Sequence, residues 1–130
     1  MQLKHINFTT SDVTGLAAFF ERFFAFTHFD TPRDAFAVMH NEEDFVVTLM
    51  QGKKDGRTEY PENFHVGFYF EHSDAVRAKH DELSAAGLSP GKVKLMDRGG
   101  SDRATYFYCA APGNVVVEVC TPPGGLHADK

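Results

Sequence analysis

Tryptophan is absent from the 130-residue chain, and cysteine occurs only at Cys109 and Cys120. No apolar run approaches the roughly 20 residues of a membrane span. There is no basic stripe: acidic and basic residues are interspersed and sum to a net charge of −5, which argues against a nucleic-acid partner. The opening Met1-Gln-Leu-Lys-His5 enters the first expected strand at once and leaves no room for a signal peptide, so the expected location is the cytoplasm. The two cysteines flank an expected hairpin turn at Pro112-Gly113-Asn114. That turn sets Cys109 opposite about residue 115 rather than opposite Cys120, many ångströms from it at roughly 3.3 Å per residue. A disulfide needs Cα atoms within about 7 Å. Two free thiols follow, in keeping with a reducing compartment.

What is present is a globular composition, 42% apolar with 13 phenylalanines, enough for one compact domain. The domain is expected over residues 1–121, with a tail at 122–130 whose last five residues are expected to be disordered. The organising stretch is Asn63-Phe-His-Val-Gly-Phe-Tyr-Phe70, an expected strand. Side chains alternate between strand faces, so His65, Gly67 and Tyr69 share one face while Phe64, Val66, Phe68 and Phe70 take the other, apolar one. This stretch repeats the N-terminus. His5-Ile-Asn-Phe8 leads through Ser11-Asp12 into an apolar helix, and His65-Val-Gly-Phe68 leads through Ser73-Asp74 into another. Each half then ends on a valine strand, Phe45-Val-Val-Thr48 and Val116-Val-Glu118-Val. We read an internal duplication of a strand–helix–strands unit, with modules at about 2–51 and 63–121 and a charged connector at 52–62 that carries Gly56 and Pro61 and has no periodicity.

In the first module the expected elements are a strand from Leu3 to Thr9, a helix from Asp12 to Phe24 capped by Ser11, a short strand from Phe26 to Thr31, and a hairpin of Ala35–His40 with Asp44–Gln51. Val13, Leu16, Ala17, Phe20, Phe23 and Phe24 form the helical apolar stripe. In the second, a strand from Phe64 to Glu71 precedes a helix from Asp74 to Ala86, capped by Ser73, with Val76, Leu83 and Ala86 inward and Gly87 as a left-handed stop. Strands at Lys92–Met96, Arg103–Cys109 and Val115–Thr121 complete it.

Superposing the halves puts His5 on His65 and Thr48 on Glu118. A pseudo-twofold between the copies would bring these four positions together, three of them metal-ligand types. Two imidazoles and one carboxylate with open positions suit Fe2+, Mn2+ and similar divalent ions, and Zn2+. Glu118 is the telling member, because a carboxylate within a valine strand is expensive unless satisfied. His28, His40, His72, His80 and His127 lack this register and are taken as surface residues.

These residues resemble the vicinal oxygen chelate superfamily, which holds glyoxalase I, extradiol dioxygenases, fosfomycin-resistance thiol transferases and bleomycin-binding proteins. The resemblance runs from residue 2 to about 121. It is carried by Leu3-Lys-His5-Ile with Ser11-Asp12, by Phe19-Phe-Glu-Arg-Phe-Phe-Ala-Phe26, by Phe64-His65-Val, and by Pro112-Gly113-Asn114 before Val-Val-Val-Glu118. It implies an α+β fold in which two βαβββ modules form one cupped, eight-stranded mixed sheet with a helix per module. It further implies a divalent ion (Fe2+, Mn2+, Zn2+ or Ni2+), a small oxygen-bearing substrate chelated to it, and a homodimer. Thr48 stands where glyoxalase I carries glutamate, Asn7 where fosfomycin enzymes carry threonine, and Ala25 where the family carries glycine. With the triad His5, His65 and Glu118 as metal ligands, the expected substrate pocket comprises Asn7, Thr48, Tyr69, Arg103, Tyr106 and Tyr108. Arg98 and Arg103 would meet an anionic substrate or stand as ordinary loop charges. The enzyme reading covers lyase or isomerase, dioxygenase and thiol-transfer chemistry. The rival is a non-catalytic, bleomycin-resistance-like protein that binds small molecules or antibiotics.

Overall fold

The computed structural model describes residues 1–31, 33–53, 58–99 and 102–124. The expected disordered tail, the middle of the connector and residues 100 and 101 lie outside these residues. The chain divides into two compact units, Met1–Glu62 with Ala111–Val115, and Asn63–Ala110 with Val116–Lys130. Together they carry eight strands in two four-stranded mixed sheets, with one long helix in each, which is the expected α+β class.

In the first unit the order is β1 (His5–Thr10), α1 (Val13–Phe24), β2 (Thr27–His28), β3 (Phe36–His40) and β4 (Val46–Gln51). The sheet order is β1-β4-β3-β2, with β1 and β4 parallel and the remaining pairs antiparallel. Ala37, Met39, Val47, Leu49 and Phe8 are buried. They share a face because they alternate along their strands and pair in register, Phe8 with Leu49 and Ala37 with Leu49. The whole α1 stripe is buried as expected, and Phe19 joins it. Phe20 is the hub, its ring centroid 6.0 Å from Phe8, 5.8 Å from Phe19 and 5.6 Å from Phe26.

Two local expectations are corrected here. The helix is capped by Asp12, not Ser11: the Asp12 carboxylate accepts from Gly15 N at 2.8 Å, a reach that a serine one residue earlier does not have. The strand expected over Phe26–Thr31 shrinks to two residues, because only Thr27 and His28 find partners on β3. Around it His40 bonds Thr27 Oγ1 at 3.2 Å and stacks on Phe29, so His40 is a half-buried packing residue rather than a surface one.

Ala25 ends α1 at φ 58° and ψ 33°, in the left-handed region. A Cβ is unfavourable there and glycine has no such cost, so the alanine stores strain that the fold overcomes. Ala25→Gly is expected to stabilise the protein by about 0.5–1 kcal/mol, read as a higher urea midpoint at unchanged slope. A lower midpoint would show that the alanine methyl contributes packing that outweighs its strain.

The second unit repeats the order: β5 (Val66–Tyr69), α2 (Ser73–Ala85), β6 (Lys94–Gly99), β7 (Asp102–Ala110) and β8 (Val116–Cys120). Its sheet order is β5-β8-β7-β6, again with the first pair parallel and the others antiparallel. Both units are thus βαβββ with the same strand order. The expected duplication is visible in the register too, since Asn7 pairs with Thr48 and Gly67 pairs with Glu118. Val76 and Leu83 anchor α2 and are fully buried, while Ala86 is half-buried. Gly87 follows at φ 89°, the expected left-handed stop. Ser73 lies inside the helix, and His72 takes the N-cap position without a side-chain cap bond.

The turn between β7 and β8 falls at Pro112–Asn114, with Gly113 at φ 78°. A Cβ at Gly113 would stand 2.0 Å from Thr10 Oγ1, so glycine is demanded twice, by conformation and by the close approach. Cys109 consequently pairs with Val117, two residues beyond the expected partner. Cys120 lies on the opposite face. Both cysteines are free and buried, and burial pushes both thiols up from their ordinary pKa.

Candidate metal and substrate face

Sheet β5-β8-β7-β6 has one face against α2, with Phe107, Cys109, Val117 and Val119 buried there. The other face carries no helix of this unit. In-register pairs place Gly67, Glu118 and Tyr108 in one row across it, and Tyr69, Cys120, Tyr106 and Lys94 in the next. His65 extends the same alternation from the residue before β5. Tyr69 is 58% exposed and Tyr108 40%, so this face is aromatic and open at its middle.

The most informative pair is His65 and Glu118, with Nε2 and Oε1 3.8 Å apart. Asn63 sits at φ 67° just before the strand, a conformation that asparagine tolerates, and its carbonyl lies 2.8 Å from His65 Nδ1. A carbonyl oxygen only accepts, so Nδ1 carries a proton and donates. In the neutral ring Nε2 is then a bare lone pair, and it faces a carboxylate whose side chain is only 15% exposed. Two acceptors brought together in this way need a cation between them, either a second proton on the ring or a metal ion. A metal-bound histidine usually donates its other ring N–H to a carbonyl or carboxylate, which fixes the tautomer and the ring orientation.

Tyr108 adds a third polar group. Its ring meets His65 edge-on at 5.2 Å, and Tyr106 packs edge-on against it at 5.8 Å. Burial, then hydrogen bonding and the charge of Glu118, push the Tyr108 phenol above its ordinary pKa. It therefore stays protonated, with its one proton directed at Glu118. A side chain at position 67 would stand over the carboxylate, a built Cβ lying 3.7 Å from Glu118 Oε1, and glycine keeps that space clear.

In the first unit, β1 and β4 bring His5, Asn7 and Thr48 together. Thr48 Oγ1 donates to Asn7 Oδ1 at 2.7 Å and lies 3.2 Å from His5 Nε2. The hydroxyl has a single proton and it is on Asn7, so His5 donates through Nε2 in this arrangement. A half-turn of the Asn7 amide reverses both bonds and leaves Nε2 as the acceptor. Nearby, the Tyr60 hydroxyl donates to the Thr9 carbonyl and Gly52 N to the Thr10 carbonyl, tying both ends of the connector to β1.

The structure separates Arg103 from the phenols. Arg103 and Thr105 alternate with Tyr106 and stand on the α2 face, beside the helix start. Arg98 instead reaches across the strands: its Nη2 donates to Thr121 O at 2.6 Å and contacts Cys120 Sγ at 3.1 Å, and its Nη1 lies 3.7 Å from Asp102. Its Nη2 holds the end of β8, while Nη1 is buried without a hydrogen-bond partner among the described residues. His80, expected at the surface, is half-buried, with Nε2 at 2.9 Å from the Gly91 carbonyl and its ring against Phe107. His28 is likewise half-buried, and its Nδ1 is buried without a hydrogen-bond partner.

Within either unit, no three His, Cys, Asp or Glu side chains among the described residues gather into a complete metal-binding group. The donors that are present fit a divalent ion nonetheless. Two ligands on one ion at about 2.1 Å each stand roughly 3–3.5 Å apart, and His65 and Glu118 are within a few tenths of an ångström of that.

A mixed βαβββ unit repeated twice in one chain, with the same strand order in each copy, defines the class of fold. The chain belongs to the Glyoxalase/Bleomycin resistance protein/Dioxygenase superfamily, whose profile matches residues 2–119. A structure described as a possible glyoxalase from Bacillus cereus is 34% identical, with 92% of this chain and 97% of that one covered and a TM-score of 0.76. The fold is also shared with a lactoylglutathione lyase from Agrobacterium tumefaciens, at 13% identity, TM-score 0.72, and 98% and 96% coverage. A third likeness is to a mutant of the fosfomycin resistance protein FosX from Listeria monocytogenes, solved with Mn(II) and 1S,2S-dihydroxypropylphosphonic acid, at 18% identity, TM-score 0.69, and 91% and 87% coverage. No curated protein sequence is significantly similar. No described helix is long and apolar enough to cross a membrane.

Proposed function

We propose that the protein is a metal-dependent enzyme in which His5, His65 and Glu118 hold one divalent ion and a small oxygen-bearing substrate binds beside it. The observation that carries this reading is the facing of two acceptors, His65 Nε2 and Glu118 Oε1, at 3.8 Å with the other ring nitrogen already committed to Asn63. Bound there, the ion would act as a Lewis acid toward a substrate oxygen. The chain's own residues supply the rest. Tyr108, held protonated, donates to Glu118 and orients the carboxylate, and Tyr69 and Tyr106 wall an aromatic pocket. Thr48 presents a hydroxyl where glyoxalase I carries a glutamate, and Asn7 accepts from it at 2.7 Å. That exchange removes a fourth anionic ligand and a proton acceptor, so the reading favours chemistry that needs neither at that position. A homodimer is the proposed assembly.

Elemental analysis of the purified protein beside His65→Ala tests the site. One ion per chain in the wild type, reduced to background in the variant, is the expected result, and the identity of the ion ranks the chemistries. Iron points to oxygen chemistry; manganese, nickel or zinc points to isomerase, lyase or thiol-transfer work. If reconstituted wild type takes up no ion, the open aromatic face favours the second reading, a binding protein for planar small molecules, with Tyr69 and Tyr108 as the stacking surfaces.

A further inference from the structure

A neutral histidine has one ring proton, and in the second unit two acceptors compete for that of His65. The Asn63 carbonyl lies 2.8 Å from Nδ1, which is hydrogen-bond distance. Glu118 Oε1 lies 3.8 Å from Nε2, which is too long for such a bond. Asn63 therefore holds the proton, and Nε2 keeps the lone pair that an ion needs. The nitrogen left free on an imidazole is set by the bond that the other one makes. Without the carbonyl the order reverses. The proton goes to Nε2, the gap to the carboxylate closes by about 1 Å to hydrogen-bond distance, and His65 donates to Glu118. The pair then satisfies itself and offers an ion no lone pair on the ring.

The carbonyl is aimed by the backbone. Asn63 sits at φ 67°, in the left-handed region that glycine and asparagine enter readily and β-branched residues do not. Asn63 is exposed, and the part of it that reaches His65 is its main chain. The other members of the cluster are held without it: Tyr108 directs its proton at Glu118, and its ring meets the His65 ring edge-on at 5.2 Å. The first unit prepares its histidine differently. Leu3 stands at the matching place, two residues before His5, and is 86% exposed, while His5 is met at Nε2 by Thr48 Oγ1 at 3.2 Å. His65 thus comes with its lone pair set, whereas His5 has to give up a side-chain bond to offer one. We infer, on the metal reading of this pair, that Asn63 is a positioning residue: its left-handed backbone keeps the His65 proton on Nδ1 and so keeps the His65–Glu118 pair open to a divalent ion.

Two measurements on the full chain test this. Long-range 1H–15N NMR correlations of the metal-free protein, at alkaline pH with the ring neutral, read the tautomer of His65 directly. Nδ1–H is expected in the wild type and in Asn63→Gly, and Nε2–H in Asn63→Val. Titration calorimetry with Zn2+ alone reads the consequence. Asn63→Val is expected to bind about 10–100-fold more weakly than the wild type, as loss of an outer-sphere partner does. Asn63→Gly is expected to stay within about threefold of the wild type, because glycine accepts the same φ. A role in folding alone would move the melting temperature and leave the tautomer as it was. If Asn63→Val fails to fold, Asn63→Ala, which lacks the β-branch, is expected to show part of the same change of tautomer and an affinity between the other two. A wild-type His65 found as Nε2–H overturns the proposal, and so does Asn63→Val with the wild-type tautomer or the wild-type affinity. If the wild type takes up no Zn2+, the metal reading falls, and the tautomers alone decide the role of Asn63.

Discussion

Glu118→Gln is expected to lower metal affinity by more than the roughly 10–100-fold that loss of an outer-sphere partner costs, because it removes a ligand outright. The substitution is isosteric, so the fold is kept. It also changes the sign of the local problem. In the wild-type pair two acceptors face one another at 3.8 Å; in the variant the new amide can donate to His65 Nε2 and satisfy it. The metal-free variant is therefore expected to melt no lower than the metal-free wild type. The metal-loaded wild type should melt above both, by linkage of binding to folding. Thermal melts with and without a chelator, together with elemental analysis, read all three states. Equal metal content in wild type and variant would sink the assignment of Glu118 as a ligand.

The second large effect lies in the first unit's core. Phe20→Ala is expected to destabilise by about 3–5 kcal/mol, a large part of the roughly 5–15 kcal/mol that holds a domain of this size. Phe20 is 1% exposed and touches three other rings across α1, β1 and the helix exit, so a truncated ring leaves a cavity that no single neighbour can fill. Phe29→Ala is the control. It removes the same ring from a site that is 60% exposed, where surface changes cost within about 0.5 kcal/mol. Urea denaturation followed by far-ultraviolet circular dichroism compares the two. Similar midpoints for both variants would show that the phenylalanine cluster is not the anchor of the unit.

The outcome for individual residues shows what kind of information each carries. The α1 stripe was readable because helical periodicity is a property of neighbours a few positions apart, and Val13, Leu16, Ala17, Phe20, Phe23 and Phe24 are all buried. The capping residue was misplaced by one, since Ser11 and Asp12 are both good caps and only the path of the chain lets Asp12 reach Gly15 N. Arg103 is the instructive placement. It is an odd number of positions from Tyr106 and Tyr108, and strand alternation sets it on the other face from them. That signal is present in the sequence itself.

By itself the sequence determined the elements, their repetition and the residue types of the His65–Glu118 pair, since periodicity, turn chemistry and duplication are written in local order. Only the tertiary structure decided which of those residues meet. Register across strands is set by long-range pairing, and it is register that puts Tyr108 beside Glu118 and Gly67. The His65 proton is placed by a carbonyl two residues back, through the left-handed turn at Asn63. Arg98 Nη2 is committed to the carbonyl of Thr121, 23 positions away. Contacts of that kind depend on how strands are laid side by side, and no window of local sequence contains both partners.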